Sequence, residues 1–205
     1  MSPFPTTGTQ AHRHSTVAHP SSTRPVWGQT APSTSPLQDW LTSQGSLTRL
    51  LREQSDGQFS VRPVREGWQP LRPDECQALG YPPDTDGWVR EVFLCGRQQP
   101  WIYARSVASR QALLASGFDL GSLGSRSLGE LLFSDQAFSR GPFEFCSLPS
   151  AAWPQPLLDS QSCHQPLWAR RSCFSRQPLD ILVAEAFLPA FWQHLDTPHP
   201  DRTPA

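Results

Sequence analysis

Two charged residues stand where charge is expensive, and they are the first candidates for chemistry. Residues 180–189 (DILVAEAFLP) form an apolar run of strand length interrupted by one carboxylate, Glu185. Side chains alternate along a strand, so Glu185 shares a face with Ile181, Val183 and Phe187, and Leu182, Ala184, Ala186 and Leu188 occupy the other. Apolar residues on both faces predict a strand covered on both sides. An ionised carboxylate there must be paired or hydrogen-bonded. Residues 88–95 (WVREVFLC) pose the complementary problem, because Arg90 shares a face with Trp88, Val92 and Leu94. A guanidinium in that setting needs a planar anion for its fork of donors. Either Arg90 and Glu185 pair with each other as a structural bridge, or they flank a small apolar cavity suited to a small aromatic or cyclic acid.

Other polar residues carry weaker signals. Arg105 shares a face with Trp101, Tyr103 and Val107; a surface arginine with a snorkelling stem is expected over a second anion contact. Arg170 and Arg171 point to opposite faces of one strand, so at most one is expected to face inward. Ser127-Leu128-Gly129-Glu130 has capping-box spacing, and a helix N-terminus presents free backbone N–H groups to anions. His12, His14 and His19 have no acids nearby and are not expected to form a metal site. The five cysteines (Cys76, Cys95, Cys146, Cys163, Cys173) are odd in number and form no CxxC pair. Neither a disulfide framework nor a zinc site is indicated, and a reducing cytoplasm is the expected location. GxGxxG, P-loop and GxSxG motifs are absent.

The elements that must position these residues can be read next. At 205 residues one domain is expected. A net charge of −1 gives no electrostatic footprint for nucleic acid or a membrane surface, and no apolar run is long enough to span a bilayer. All 17 basic residues are arginine, with no lysine and no asparagine. That is a compositional bias, so an arginine's mere presence carries less weight than usual. Residues 1–36 are rich in Ser, Thr and Pro and are expected to be a disordered tail, as are 196–205, leaving 37–195 as the domain. Ser35 and Pro36 open a helix that Gly45 stops, and Ser46 starts another through Leu47, Leu50 and Leu51. Residues 59–65 alternate like an edge strand, 70–87 are expected to be loop, and 88–95 with 100–107 form a hairpin. Ser109 caps a helix ending at Gly117, and 143–146 and 168–174 are further strands. With the Glu185 strand this predicts an α+β domain built on a six-stranded antiparallel sheet.

Six segments in this order resemble the bacterial chorismate pyruvate-lyase family, which makes 4-hydroxybenzoate for ubiquinone. They are Arg65-Glu66-Gly67, the 88–95 strand, Pro100-Trp101 with Ala104-Arg105, Ser127-Leu128-Gly129 through Leu132-Phe133, Leu167 through Ser172, and Ala184 through Pro189. The resemblance covers roughly residues 37–190 and implies helical flaps over a buried ligand site. It implies that Arg90 and Glu185 bind the ligand and carry the catalysis. It further implies main-chain contacts from Leu47, where the family has Met, and from Leu128. The implied substrate is chorismate and the products are 4-hydroxybenzoate and pyruvate. A monomer without metal or organic cofactor is expected, with no nucleic-acid partner and no membrane insertion. The alternative is a non-catalytic module of the same fold that senses small aromatic acids. Such modules normally follow a DNA-binding domain, for which the N-terminal region is too short and too proline-rich.

Overall fold

The structure, a computed structural model, describes residues 25–34, 36–135, 137–160 and 165–196. The strands are β1 (Phe59–Pro70), β2 (Asp86–Gly96), β3 (Gln99–Ser109), β4 (Ser139–Arg140), β5 (Glu144–Leu148), β6 (Leu167–Arg176) and β7 (Leu179–Phe187). The helices are α1 (Leu37–Thr42), α2 (Leu47–Gln54), α3 (Pro73–Leu79), α4 (Arg110–Ser116), α5 (Leu128–Ser134), α6 (Gln155–Ser160) and α7 (Pro189–Asp196). All strand pairs are antiparallel, in the order β1-β2-β3-β7-β6-β4, with β5 also pairing with β6. The Glu185 strand, β7, thus lies between β3 and β6 in the middle of the sheet.

Its apolar character on both faces follows from that position. On one face Val92, Leu94, Ile102, Ala104 and Phe187 pack with Leu41, Leu47, Leu51 and Phe191, and Ile181, Ala108 and Phe174 pack with Leu113, Leu120, Leu128 and Leu132. On the opposite face Val89, Val107 and Leu182 meet Leu71 and Cys76, and Phe93, Tyr103 and Ala186 meet Trp153, Leu157 and Leu188. α2 and α5 therefore cover the first face, and α3 and α6 the second.

The α+β architecture is the expected one, with three differences in detail. The sheet has seven strands where six were expected, because β4 is two residues long and too short to show alternation. α1 ends at Thr42 with Ser43 as its C-cap, before Gly45; the N-cap expected at Ser35 lies outside the described residues. The expected loop at 70–87 contains α3. Pro73 opens it, Asp74 and Glu75 occupy its first turn, and Gly80 closes it in the left-handed conformation at φ 70°. Those start and stop signals were present in the sequence. Upstream of Leu37, residues 25–34 run against the sheet: Gly28 exchanges backbone hydrogen bonds of 2.9 and 2.7 Å with Phe145, and the Trp27 ring lies under the Arg171 guanidinium.

Candidate active site

Sheet register places Arg90 and Glu185 on the same face. Arg90 is opposite Ser106 and Ser106 opposite Val183; one pleat further along, Val92, Ala104, Glu185 and Arg170 are aligned. Two strand spacings across and two residues along put the Cα atoms of Arg90 and Glu185 about 12 Å apart. The two residues therefore do not form a structural bridge. Each has its own protein partner, and each keeps capacity to spare.

Arg90 donates from Nε to Glu66 Oε1 at 2.8 Å and from Nη2 to the carbonyls of Gly124 and Arg126, the latter at 3.1 Å. Gly124, at φ 52°, adopts a backbone conformation open to glycine, and its carbonyl faces the guanidinium. Nη1 has no acceptor among the described residues. Burial lowers the pKa of Arg90 and the Glu66 carboxylate opposes that shift. At 2% side-chain exposure this is a desolvated cation with one direction left for an anion. Glu185 accepts from Arg170 Nε at 2.7 Å through Oε2, and Oε1 accepts from nothing among the described residues. Arg170 is itself locked, with Nη1 shared among the carbonyls of Trp40, Leu41 and Ser43 at 3.0 to 3.2 Å.

Between these charges the floor is made of small side chains: Ala104, Ser106 and Ser172 are buried. Val183 is only half-buried and Glu185 keeps 16% of its side-chain surface, although β7 is a central strand. Residual exposure in the middle of a covered sheet marks space above it.

The roof comes from two helix starts. Ser46 caps α2 by accepting from Arg49 N at 3.4 Å, and Ser127 caps α5 by accepting from Glu130 N at 3.4 Å. Leu47 and Leu128, both buried, are the first residues of these helices. Their N–H groups belong to the orphan donors of a helix start. A 2.6 Å hydrogen bond between Thr48 Oγ1 and Ser127 Oγ brings the two starts together, and a Cβ on Gly129 would lie 3.3 Å from Thr48 Oγ1. The capping box is half-formed, since the Glu130 carboxylate turns outward to Arg52 Nη2 at 3.0 Å and ties α5 to α2.

Two participants, Glu66 and Arg140, were not singled out from the sequence as site residues, and Arg170 was noted there only as one of two arginines of which at most one was expected inward. Arg170 positions Glu185, Glu66 positions Arg90, and Arg140, on β4, has its charge felt by both Arg170 and Glu185. Glu66 and Arg140 sit in segments whose patterns carried no charge problem to notice. Arg105 is reassigned: it is 7% exposed, on the opposite face, and bonded to Glu75 and Glu91. Arg170 and Arg171 are both buried, at 2% and 6%, because the sheet is covered on both sides. Among the described residues no group of His, Cys, Asp and Glu could hold a metal ion, and no helix is long and apolar enough to cross a membrane.

The fold is an antiparallel α+β domain that sets two helix starts over a buried cation and a carboxylate, the groups a small anionic ligand would need. The known proteins make it more specific. Residues 24–196 match the family described as chorismate lyase, and the chain belongs to that family. It is 60% identical to a probable chorismate pyruvate-lyase of Pseudomonas putida over 158 residues, 77% of this chain and 83% of that protein. It is 58% identical to a probable chorismate pyruvate-lyase of Pseudomonas aeruginosa over 154 residues, 75% of this chain and 84% of the relative. Among solved structures, the PhnF C-terminal domain superposes with a TM-score of 0.51 at 13% identity, covering 71% of this chain and 91% of that one. That likeness concerns the fold alone.

Proposed function

We propose that this chain is a chorismate pyruvate-lyase that converts chorismate to 4-hydroxybenzoate and pyruvate, the first committed step towards ubiquinone. The observation that carries the reading is the placement of Arg90 and Glu185 on one face across a floor of small side chains, each with one polar atom that has no partner among the described residues. Chorismate is a cyclohexadiene with a ring carboxylate, a hydroxyl para to it, and an enolpyruvyl ether next to the hydroxyl. Loss of the ether group and of the hydrogen on the hydroxyl-bearing carbon leaves an aromatic ring, so the elimination is strongly downhill. What the protein must supply is orientation, exclusion of water and stabilisation of the departing enolpyruvate.

In this reading Arg90 takes the ring carboxylate through Nη1, which has no acceptor among the described residues, with backbone N–H groups of Leu47 and Leu128 as further donors. Glu185 takes the ring hydroxyl through Oε1 and is held in place by Arg170. The ether C–O bond breaks with its electron pair going to the departing oxygen, the C–H pair of the hydroxyl-bearing carbon completes the aromatic ring, and the proton released ends on the enolpyruvate, which tautomerises to pyruvate. The flap helices exclude water while the bond breaks. The fold unit proposed for this activity is the domain read over 37–195 together with the segment from residue 25 that packs on it. Incubating purified protein with chorismate and following pyruvate release tests the function. The expected result is stoichiometric formation of pyruvate and 4-hydroxybenzoate. Binding of 4-hydroxybenzoate without any turnover of chorismate would replace the lyase by a sensing module.

A further inference from the structure

Chorismate is a dianion, and the residues assigned above account for one of its two carboxylates. The second, on the enolpyruvyl group, hangs from the ring carbon next to the hydroxyl-bearing one. With the ring carboxylate on Arg90 and the hydroxyl on Glu185, the second carboxylate must lie on the Glu185 side of the pocket.

The strand order puts cations on that side. Running from β2 through β3, β7 and β6 to β4, the flap face of the sheet carries Arg90, then Glu185, Arg170 and Arg140. Arg170 is committed, since its Nε holds Glu185 and its Nη1 holds three carbonyls. Arg140 is not. Its Nη2 donates to the carbonyl of Gln44 at 2.8 Å and to the Gln44 side-chain oxygen, while Nε and Nη1 have no acceptor among the described residues. Arg140 is opposite Phe174 on β6, which directs its side chain to the same face as Arg170. The Phe143 ring carries both guanidiniums, with Arg140 Cζ 4.4 Å and Arg170 Cζ 4.7 Å from its centroid, and Phe133 lies 5.4 Å from Arg140. Arg140 is half-buried, and the two aromatic neighbours cover part of the cation, which strengthens any anion contact it makes on that side.

We infer that Arg140 binds the enolpyruvyl carboxylate of chorismate, and so distinguishes the dianionic substrate from the monoanionic aromatic product. The inference rests on the lyase reading. Burial first, and then the charge of Arg170, lower the pKa of Arg140 while Glu185 opposes them; an incoming carboxylate relieves the unfavourable proximity of two cations. The Gln44 contact adds a mechanical consequence. Gln44 lies two residues before Ser46, the N-cap of α2, so a carboxylate held by Arg140 also steadies the segment that leads into the flap. After elimination the same contact leaves with pyruvate, and the aromatic product retains only the Arg90 and Glu185 ends of the site.

The test compares substrate and product in one set of proteins: wild type, Arg140→Gln and Arg140→Lys. Chorismate turnover gives kcat and KM, calorimetric titration gives the Kd of 4-hydroxybenzoate, and a thermal melt checks folding. Arg140→Gln is expected to lower kcat/KM for chorismate on the order of 10- to 100-fold, the loss of a charged hydrogen bond. Most of that loss should appear in KM. The Kd of 4-hydroxybenzoate should change less than about twofold, and Arg140→Lys should recover part of the loss because it keeps the charge. Equal weakening of chorismate and 4-hydroxybenzoate would make Arg140 a structural tie to Gln44 and overturn the inference, as would no change in either. Should Arg140→Gln fail to fold, the lysine variant alone decides by the same ratio. Failure of wild type to turn over chorismate would instead sink the lyase reading, so the two failures are distinguishable.

Discussion

On the α3 face of the sheet, Arg105 commits all three nitrogens to protein carboxylates, with a bidentate pair to Glu75 at 2.6 and 3.0 Å and a third bond to Glu91 at 2.7 Å. On the flap face, Arg90 is as deeply buried yet among the described residues Nη1 has no acceptor, Glu185 Oε1 has no donor, and two nitrogens of the half-buried Arg140 have no acceptor. Both faces bury charge; the Arg105 guanidinium has a carboxylate on every nitrogen, although Glu91 Oε2 beside it has no hydrogen-bond partner among the described residues, so the contrast lies between the guanidiniums of the two faces. A desolvated ion whose bonds are complete belongs to the architecture, because it has nothing left to offer a ligand. One held rigidly with a donor or acceptor to spare is prepared to bind. The pKa directions agree with this division: burial lowers Arg105 but the Glu75 and Glu91 contacts overcome it and raise it, whereas burial prevails at Arg90.

The largest expected effect is at Glu185. Glu185→Gln keeps the shape and a hydrogen bond to Arg170 but removes the carboxylate. Pyruvate release per folded molecule should fall by about 100-fold or more, and the melting temperature should fall as well, because buried Arg170 loses its carboxylate partner. Near-wild-type turnover would place Glu185 with the structural charges and erase the contrast between the faces.

The converse is expected at Glu75. Glu75→Gln leaves Arg105 short of a buried charge partner and should cost about 3–5 kcal/mol of stability without lowering the rate per folded molecule. Acid titration sharpens the point. Burial raises the Glu75 pKa, but the Arg105 hydrogen bond and the charges of Arg72 and Arg105 outweigh it, so the net shift is downward. A carboxyl depressed in the folded state stabilises above its unfolded pKa, and that contribution is lost as pH falls through the folded value. Wild type should therefore lose stability on acidification below about pH 4.3, and Glu75→Gln should show a flatter acid limb. Superimposable acid limbs in denaturant titrations would mean that Glu75 contributes nothing through its charge.

A smaller effect is expected for Arg90→Lys, which keeps the charge and loses the fork. Binding of 4-hydroxybenzoate should weaken by roughly 1.5–3 kcal/mol, benzoate by a similar amount, and 4-hydroxybenzamide by less. Equal losses for the three ligands in calorimetry would remove Arg90 as the carboxylate anchor.

The smallest effects concern the N-terminal segment. Removal of residues 1–24 should leave the melting temperature unchanged. Removal through residue 34 also deletes the Gly28–Phe145 pairing and the Trp27 ring beneath Arg171. Each kcal/mol lost there should lower the melting temperature by about 2–4 °C. Identical melting curves for the two truncations would show that 25–34 adds nothing to the sheet.

Local pattern alone made the framework legible. Alternation marked β2, β3, β6 and β7, serine caps marked α2, α4 and α5, and Arg90 and Glu185 stood out because a charge in an apolar strand has few solutions. These signals are written within a few residues of one another, at the range where side-chain periodicity and capping act. Pairing across the sheet was decided elsewhere. Whether Arg90 meets Glu185 or Glu66, and whether Arg105 ends at the surface or under α3, depends on strand order and register, which bring together residues 24 and 30 positions apart. α3 decided the second question, since Glu75 reaches Arg105 only once that helix lies on the sheet. Arg140 is the extreme case: its strand is two residues long, it stands between Ser139 and Gly141, and it comes beside Arg170 over the Phe143 ring only because β4 docks beside β6. Charge in a sequence announces a need, and tertiary structure alone determines what meets it.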